Sequence, residues 1–484
     1  MIRFLERAGF KNPARDGQRQ GTAAAVPQTT GKKGASAPEG PFVPLVPAFA
    51  GFRLAAALLV TLFALAGSTP SRAQSPAAGT TAFTGARLID GTGSAPVEPA
   101  TIVITDGRIA AAGPAASVTI PPGATRVDMS GKTVLPGIVN AHGHLNVDDN
   151  TRLPVREHII ERLRAYSDYG VTTVMSLGQT VDDERIALQV RDDQRQGKVP
   201  GARFYTSGRN AVAKTPEEAR AFVDRLADLK VDIIKTRLLG RATDMDPETL
   251  GAVIDQAHKR GLRTAIHIFY LRDAKLAIQN GIDIIAHSVR DQSVDQALIA
   301  EMKRHNVAYI PTLTRDLSVF VYESTPDFFT DPFFQRGMYA YQTEFDLLGD
   351  PANQEKIRND ERAQSLKRAL LQGNRNLKIL TDAGVQIAMG TDTGSADDPG
   401  RWHGYFEHVE MEMMVESGMT PLQVLVASTS GAAKVLRLDN ELGSIEPGKW
   451  GDLLVLNADP LANIRNTREI HSVWIAGRKV VDGR

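Results

Sequence analysis

The stretch LPGIVNAHGHLNVDD, residues 135–149, joins a short apolar run to two histidines, His142 and His144, that are one residue apart. A short apolar run of this kind is typical of a buried β-strand. Side chains at positions i and i+2 of a strand point to the same face, so both imidazoles would face the same way. The pattern indicates either a pair of metal ligands at a strand end or two polar residues where a strand meets its loop.

Similar apolar runs recur along the centre of the chain and alternate with amphipathic helical stretches. Counted from the first, the runs occupy residues 136–142, 171–178, 202–208, 231–236, 263–269, 282–288, 307–312 and 385–392. This alternation predicts a parallel sheet, and eight such units close naturally into a (β/α)8 barrel, here over residues 136–440. A doubly wound sheet is the alternative, but no Gly-rich phosphate loop follows the first strand.

The segments on either side of this region, residues 81–135 and 441–484, read as short strands separated by turn residues. Asp106 and Gly107 separate the runs TIVIT and RIAAAG, and this residue pair favours a two-residue hairpin turn. Neither segment has enough apolar residues for its own core, so we predict that they form one small β-sandwich together. The predicted fold class is therefore α/β, a (β/α)8 TIM barrel with a β-sandwich domain built from both ends of the mature chain.

The N-terminal segment has a different composition. Residues 1–50 include a long stretch rich in Gly, Ala, Pro, Thr and Gln, which is typical of disorder. Residues 51–73 have a basic residue, an apolar run too short for a comfortable membrane span, and a small-residue cleavage pattern, which together predict a signal peptide. We expect a periplasmic or secreted protein with no stable membrane anchor after cleavage, and a translation start near residues 43–46. An uncleaved anchor is the alternative.

The overall composition excludes several function classes. The 484 residues are 42% hydrophobic and 23% charged with a net charge of zero, as in ordinary soluble proteins, and no basic patch indicates a nucleic-acid partner. The absence of cysteine excludes disulfides, Cys-ligated zinc, iron–sulfur clusters and a thiol nucleophile. A metal ion would have to be held by histidine, carboxylate or a modified lysine. We expect a small-molecule substrate, and a homo-oligomer is compatible with the sequence.

Polar residues fall at the ends of several predicted barrel strands, where barrel enzymes place their active sites. These candidate ligands are His142, His144, Lys235, His267, His287 and Asp392. Each one also has a structural interpretation, such as a hydrogen-bonded histidine, a paired lysine or an aspartate in a turn. The chain has only ten histidines, and four of them lie where a metal site would need them. The set as a whole therefore favours metal binding.

The motifs PGIVNAHGH, IIKT, AIHIF, IIAHS and GTDTG resemble, in order and context, those of the metal-dependent amidohydrolase superfamily. The later stretches MMVESGMTPLQVLVASTSGAAKVLRL and LGSIEPGKWGDLLVLNADPL resemble its imidazolonepropionase-like and prolidase-like branch. The resemblance covers residues 83–484, nearly the whole mature chain. The His-x-His motif alone is weakly specific, whereas the full set is strongly specific.

The resemblance implies a role for each candidate ligand. His142 and His144 would bind the more buried of two divalent metal ions, which Asp392 would also contact, and His267 and His287 would bind the outer one. A carboxylated Lys235 would bridge the two ions. Imidazole and carboxylate ligands favour zinc, with manganese, cobalt or iron as alternatives.

The resemblance also implies a reaction, the hydrolysis of an amide-like C–N bond. A hydroxide bridging the two metal ions would be the nucleophile, because water between two cations loses a proton near neutral pH. Asp392 would act as general base and then as general acid toward the leaving amine. Imidazolonepropionase itself lacks the bridging lysine and uses one metal ion. Lys235 therefore points to the binuclear, peptidase-like members.

Four residues near the ligands are candidates for substrate binding. They are Arg237, Tyr270, Arg272 and Arg290. Arginine binds carboxylates through two parallel hydrogen bonds, so a substrate carboxylate is the expected partner. Surface or supporting positions are the alternative. We also expect the aromatic-rich connection over residues 313–345 to cover an apolar substrate side chain. His403 and His408 are expected on a helix surface, with a supporting role in the pocket as the alternative.

These features predict a secreted metal-dependent amidohydrolase that acts on a dipeptide or an N-acyl amino acid. One alternative is a mononuclear enzyme that opens a cyclic amide, as imidazolonepropionase does, or deaminates a heterocycle. The other is a catalytically inactive barrel that only binds its ligand. The presence of every candidate ligand argues against the inactive barrel.

Overall fold

The computed structural model describes residues 79–146, 153–179, 183–394 and 399–482. The predicted disordered segment, residues 1–50, and the predicted signal peptide, residues 51–73, lie outside the described residues. Within the described ranges, no helix combines the length and apolar character that crossing a membrane requires.

The strands in chain order are β1 (Thr80–Leu88), β2 (Val97–Thr105), β3 (Arg108–Pro114), β4 (Thr125–Asp128), β5 (Thr133–Pro136), β6 (Ile138–Gly143), β7 (Val171–Ser176), β8 (Arg203–Thr206), β9 (Ile234–Arg237), β10 (Thr264–His267), β11 (Ile284–Ala286), β12 (Ala308–Ile310), β13 (Leu453–Leu456), β14 (Ile470–Ile475) and β15 (Arg478–Asp482). The α-helices are α1 (Val155–Asp168), α2 (Glu184–Arg195), α3 (Pro216–Asp228), α4 (Pro247–Lys259), α5 (Leu271–Gln279), α6 (Gln296–Arg304), α7 (Leu313–Leu317), α8 (Pro332–Gln335), α9 (Gln342–Gly349), α10 (Pro351–Asn359), α11 (Glu361–Asp382), α12 (Tyr405–Glu416), α13 (Pro421–Ala427) and α14 (Ser430–Val435).

Strands from both ends of the mature chain share one sheet in the order β15-β14-β13-β5-β1-β2-β3, with β4 beside β1. Antiparallel pairing of β5 with β13 joins the two ends. The rings of Phe83 and Trp474 lie 4.8 Å apart, so the sheet folds over a common core. Asp106 and Gly107 connect β2 to β3 with φ angles of 51° and 81°, the left-handed geometry of a two-residue hairpin turn. The predicted hairpin is confirmed.

The central strands form the parallel sheet of a (β/α)8 barrel, in the orders β6-β7-β8 and β9-β10-β11-β12. The segment predicted as the eighth strand, residues 385–392, makes isolated bridges in place of a regular strand: Ile387 pairs with Tyr309 of β12, and Thr393 pairs with Gly143 of β6. Asp392 in this segment has a φ of 59°, which interrupts the extended backbone. The segment still lies between β12 and β6, so the barrel fold is the predicted one.

Burial explains why these runs form a barrel. All six residues of β7 are buried, as expected for a parallel strand that is covered on both faces. Val139, Met175, Ile233 and Ala265 belong to one buried apolar cluster contributed by β6, β7, the approach to β9, and β10. Side chains from successive strands therefore fill the barrel interior.

The aromatic-rich connection after β12 forms short helices that pack into the core. Phe328, Phe329 and Phe334 are buried. The ring of Phe334 lies 5.4 Å from that of Trp402 and 4.9 Å from that of Tyr405, in the segment after the last barrel strand. The apolar surface of these three phenylalanines is therefore already buried against the protein, and the expectation that the connection covers a substrate side chain stays a prediction.

Candidate metal centre

Two histidines at the end of β6 converge on one carboxylate oxygen. The Nε2 atom of His142 lies 3.0 Å from Oδ1 of Asp392, and that of His144 lies 2.7 Å from the same atom. His142 is the fifth residue of β6, and His144 directly follows the strand. The i, i+2 spacing thus places both imidazoles toward the same point, as expected.

The remaining candidate ligands lie beside this contact. Nζ of Lys235, on β9, is 3.4 Å from Nε2 of His142. The ring of His287 lies 4.7 Å from the ring of His142 and 4.2 Å from that of His267. One ligand atom each of His142, His287 and Asp392 falls within 4.8 Å of the others. The structure thus brings the six candidates into one cluster, and their individual metal roles stay predictions.

The protonation states in this cluster suit a cationic ligand. Burial and, to a lesser extent, neighbouring Lys235 lower the pKa of His142 to about 3, against the opposing effect of Asp392. Burial likewise lowers the pKa of Lys235 to about 7, with the Arg315 guanidinium acting in the same direction. The pKa values of His267 and His287 are also well below the usual value because both rings are buried. Burial therefore favours the neutral form of His142, His267 and His287, and the lysine loses its proton readily.

Hydrogen bonds to the second ring nitrogen orient two of the histidines. Nδ1 of His144 lies 3.2 Å from the carbonyl oxygen of Gly178, which can only accept, so Nδ1 can donate its proton there. With the proton on Nδ1, the Nε2 lone pair faces the cluster; a proton on Nε2 would be donated to Oδ1 of Asp392 at 2.7 Å. Nδ1 of His287 is bonded to the hydroxyl of Thr312 at 2.7 Å, which also leaves Nε2 as the ligand atom. Such outer contacts are typical of metal-binding histidines, and this donor set fits a divalent metal ion.

The backbone is strained at the same place. His287, Thr312 and Asp392 have φ angles of 79°, 48° and 59°, in the left-handed region that non-glycine residues seldom adopt. Each such conformation costs on the order of 1–3 kcal/mol, and strain of this kind concentrates at functional sites. The fold therefore holds the candidate ligand His287, its hydrogen-bond partner Thr312 and the carboxylate of Asp392 in costly conformations.

Two arginines that the sequence patterns did not indicate face the other oxygen of Asp392. Nη1 of Arg401 donates a hydrogen bond to Oδ2 at 2.8 Å, and Nε of Arg315 lies 3.5 Å from the same atom. Arg315 lies on α7 within the long connection after β12 and Arg401 lies beyond the barrel strands, so no strand-end pattern marks either one. Histidines on one side and guanidinium groups on the other fix the orientation of the carboxylate.

The four predicted substrate-binding residues have different surroundings. Arg237 ends β9, pairs in register with His267 of β10 and is exposed. Within the described part of the chain it has no ion-pair or hydrogen-bond partner. The Arg272 side chain is exposed, with Nε 3.4 Å from Asp273 and its guanidinium 4.8 Å from the centre of the Tyr270 ring. Of these, Arg237 is the guanidinium available to a ligand at the barrel mouth.

Arg290 is buried within the protein. Its Nε lies 2.8 Å from Oδ2 of Asp316, and its Nη1 donates to the carbonyl of Ser288 at 2.7 Å. A buried guanidinium requires such partners, because an unpaired buried charge is strongly destabilising. The geometry therefore gives Arg290 a structural position rather than that of a carboxylate clamp.

The expectation of helix-surface positions for His403 and His408 is wrong, since both are buried. Nε2 of His403 lies 2.8 Å from the carbonyl oxygen of His144, and its Nδ1 contacts the hydroxyl of Tyr341. The ring nitrogens of His408 contact the carbonyl of Tyr169 and the hydroxyl of Thr467. His403 therefore supports the turn that carries the ligand His144.

Comparisons with known proteins agree with this arrangement. The model of the Amidohydrolase family matches residues 133–480. Imidazolonepropionase of Micrococcus luteus is 24% identical over 407 residues, which covers 79% of this chain and 94% of the relative. A candidate prolidase from Bifidobacterium longum superposes with a TM-score of 0.67 at 27% identity, over 84% of this chain and 96% of that structure. A Xaa-Pro dipeptidase with bound methionine has a TM-score of 0.67 at 22% identity, over 84% of this chain and 100% of that one. The chain belongs to the amidohydrolase family and is a hydrolase of carbon–nitrogen bonds.

Proposed function

We propose that this protein hydrolyses the amide bond of a dipeptide or an N-acyl amino acid at a centre that holds two divalent metal ions. The observation that carries the proposal is the buried amine of Lys235, 3.4 Å from Nε2 of His142. A free ammonium group is costly to bury, and burial lowers the pKa of this amine to about 7. An unprotonated amine can react with CO2, and the resulting carbamate offers two anionic oxygens to two cations.

The residues that would hold the metal ions are those of the cluster. They are His142, His144, carboxylated Lys235, His267, His287 and Asp392. Zinc is the metal that these nitrogen and oxygen ligands favour. When bound, the ions would supply an acidified water and a Lewis acid for the scissile carbonyl.

Asp392 is placed to move the proton. Its carboxylate is unprotonated because the neighbouring histidines hold its pKa well below the usual value, although burial opposes them. The carboxylate can accept a proton from the attacking water and donate it to the leaving nitrogen as the C–N bond breaks. Arg401, 2.8 Å from Oδ2, keeps the carboxylate oriented during both transfers.

A free carboxylate on the substrate is the feature that the barrel mouth would recognise. The exposed guanidinium of Arg237 follows Lys235 by two residues on the same strand, and it is adjacent to His267 in the sheet. Dipeptides and N-acyl amino acids both carry a carboxylate near the scissile amide. The similarity to a candidate prolidase and to a Xaa-Pro dipeptidase supports this class.

The similarity to imidazolonepropionase supports a second candidate, the opening of a cyclic amide with a single metal ion. The two candidates differ in the metal content and in the substrate. The buried lysine among the histidines favours the binuclear enzyme.

The experiment is a substrate screen of the zinc-loaded protein with dipeptides, N-acyl amino acids, lactams and an imidazolone, together with metal analysis. We expect two equivalents of zinc per chain, turnover of a carboxylate-bearing linear amide, and loss of turnover in Asp392→Asn. One equivalent of zinc with ring opening would establish the second candidate. Absence of both metal and turnover would indicate the binding barrel.

A further inference from the structure

Glu407, on α12, is a fully buried glutamate beneath the metal centre. Its Oε1 atom accepts hydrogen bonds from Nδ2 of Asn140 at 2.6 Å, from the hydroxyl of Thr391 at 2.8 Å and from the hydroxyl of Thr393 at 3.1 Å. One oxygen therefore receives three donors that come from two different parts of the barrel.

The three donors lie close in sequence to candidate metal ligands in two separate parts of the chain. Oδ1 of Asn140 accepts the backbone N–H of His142 at 2.9 Å. Thr391 and Thr393 are the residues immediately before and after Asp392. The single oxygen of Glu407 thus ties the strand that carries His142 to the segment that carries Asp392.

The hydrogen atoms in this network have a consistent assignment. Nδ2 of Asn140 has two hydrogens and bonds to Glu407 and, at 2.9 Å, to the hydroxyl of Thr391. Each threonine can donate its one hydroxyl hydrogen to Glu407, in which case the 2.9 Å contact between the two threonine hydroxyls has no hydrogen and Thr393 accepts from Tyr166 at 2.8 Å. Oε1 of Glu407 is therefore the final acceptor of the whole network. Without it, one hydrogen of Asn140 and one threonine hydroxyl hydrogen would lose their acceptor, because the two threonine hydroxyls lie 2.9 Å apart and can bond to each other; each unpaired buried donor costs about 1–3 kcal/mol.

The other oxygen of Glu407 is itself unsatisfied. Within the described part of the chain, Oε2 is buried without a hydrogen bond of normal geometry, although the nearby backbone N–H groups of Gly404 and Glu407 favour the ionised carboxyl. A buried unpaired carboxyl oxygen is costly, and such groups in folded proteins require an explanation. The three hydrogen bonds to Oε1 hold two segments with candidate metal ligands together. This role explains why a glutamate is buried here.

We propose that Glu407 is a positioning residue of the metal centre, which holds the strand end bearing His142 and the segment bearing Asp392 at the separation that the metal ions need. The inference rests on the proposed metal centre and is independent of which amide is hydrolysed. It assigns Glu407 no contact with substrate or with the reacting atoms.

The test is the zinc affinity of the full chain, measured by competition with a chromophoric chelator, alongside urea unfolding of the metal-free protein. Glu407→Ala is expected to bind zinc about 10–100-fold more weakly, the usual effect of losing an outer contact to a metal site. Glu407→Gln retains an acceptor oxygen, so it should recover most of this affinity.

The matched control is Glu412→Gln on the same helix. Glu412 is also buried, but it pairs with Arg465 at 2.9 Å, away from the strand ends. This control should lower the stability of the metal-free protein and leave the zinc affinity unchanged. If Glu407 had a purely structural role, Glu407→Ala would also lower the stability of the metal-free protein and leave the zinc affinity unchanged.

Wild-type zinc affinity in folded Glu407→Ala would overturn the proposal. If that variant does not fold, the double variant Thr391→Val, Thr393→Val removes two of the three donors with little change in volume. The double variant is expected to lose zinc affinity, and wild-type affinity there would also overturn the proposal. Because zinc affinity is measured without substrate, a failed substrate screen would refute the proposed reaction and leave this inference standing on its own result.

Discussion

The Nε2 atom of His144 and the Oδ1 atom of Asp392 lie 2.7 Å apart, although 248 positions separate these residues in the chain. The first residue directly follows the first barrel strand, and the second closes the last barrel segment. The contact therefore exists only when the last segment is seated against the first strand. The metal centre depends on barrel closure, and variants that loosen this closure should weaken metal binding before they unfold the protein.

Removal of Lys235 should remove the second metal ion. Lys235→Ala lacks the group that would bridge the two ions, so we expect zinc to fall from two equivalents to at most one and turnover to fall at least about 100-fold. Metal analysis of the dialysed protein measures the first effect. A carbamate carbon resonance in protein equilibrated with labelled bicarbonate should be present in the wild type and absent in the variant.

The control for Lys235 is Lys259→Ala, an exposed lysine that pairs with Asp255 at 2.7 Å. This variant should keep the zinc content and the carbamate signal of the wild type. One equivalent of zinc in the wild type, unchanged in Lys235→Ala, would refute the binuclear centre.

Removal of Arg237 should weaken the binding of substrates that carry a carboxylate. Charge-assisted hydrogen bonds contribute about 1.5–3 kcal/mol, which corresponds to roughly a 10–100-fold increase in KM for Arg237→Ala. We expect kcat to change little, because the contact is remote from the scissile bond. Arg272→Ala, which removes a guanidinium engaged with Asp273 and Tyr270, is the comparison and should leave KM unchanged. The opposite ranking would contradict the assignment.

The aromatic connection after β12 should behave as core. Phe334 is fully buried, and Phe334→Ala should lower the free energy of unfolding by about 3–5 kcal/mol. Leu347, on α9 in the same connection, is 47% exposed, and Leu347→Ala should change it by less than about 0.5 kcal/mol. Urea unfolding of both variants measures the difference. A small effect of Phe334→Ala would indicate a loosely attached flap.

The segment over residues 51–73 should direct export. Its basic start, apolar run and Ser71-Arg72-Ala73 pattern predict cleavage that leaves Gln74 at the mature end. N-terminal sequencing of the protein recovered outside the cytoplasm tests this prediction. Recovery of the protein with Met1 retained would favour an uncleaved segment.

Regular patterns in the sequence predicted the strands, the barrel and the hairpin, because the local spacing of apolar and turn residues determines these elements. Strand spacing placed His142 and His144 on one face, and Asp106-Gly107 determined a hairpin. The partners of buried charges could not be predicted in this way. Arg290 pairs with Asp316 only because the loop after β11 meets helix α7 in space. The donors to Glu407 come from two parts of the chain, because Asn140 lies 251 positions before Thr391 and Thr393 lies two positions after Thr391.

A second buried glutamate on α12 should make stability depend on pH. Glu410 is fully buried and accepts the backbone N–H groups of Leu313 and Thr314 at 2.8 and 2.7 Å. Burial raises its pKa from the usual 4.5 to about 7, against the effect of these hydrogen bonds. Between these two pH values the folded protein binds more protons at this site than the unfolded chain does. The contribution of Glu410 to stability is therefore greatest below pH 4.5 and is lost as the pH rises toward 7.

The variant Glu410→Gln removes this titration and keeps the shape of the side chain. The free energy of unfolding of the metal-free variant, minus that of the metal-free wild type, should rise on the order of 3 kcal/mol between pH 5 and pH 8. Urea unfolding of both proteins at the two pH values gives this difference, in which the titration of groups that do not interact with Glu410 cancels; Glu407 is the coupled neighbour. A difference that stays constant with pH would show that the Glu410 carboxyl already ionises in the folded protein at its ordinary pKa, with the two backbone N–H groups outweighing burial.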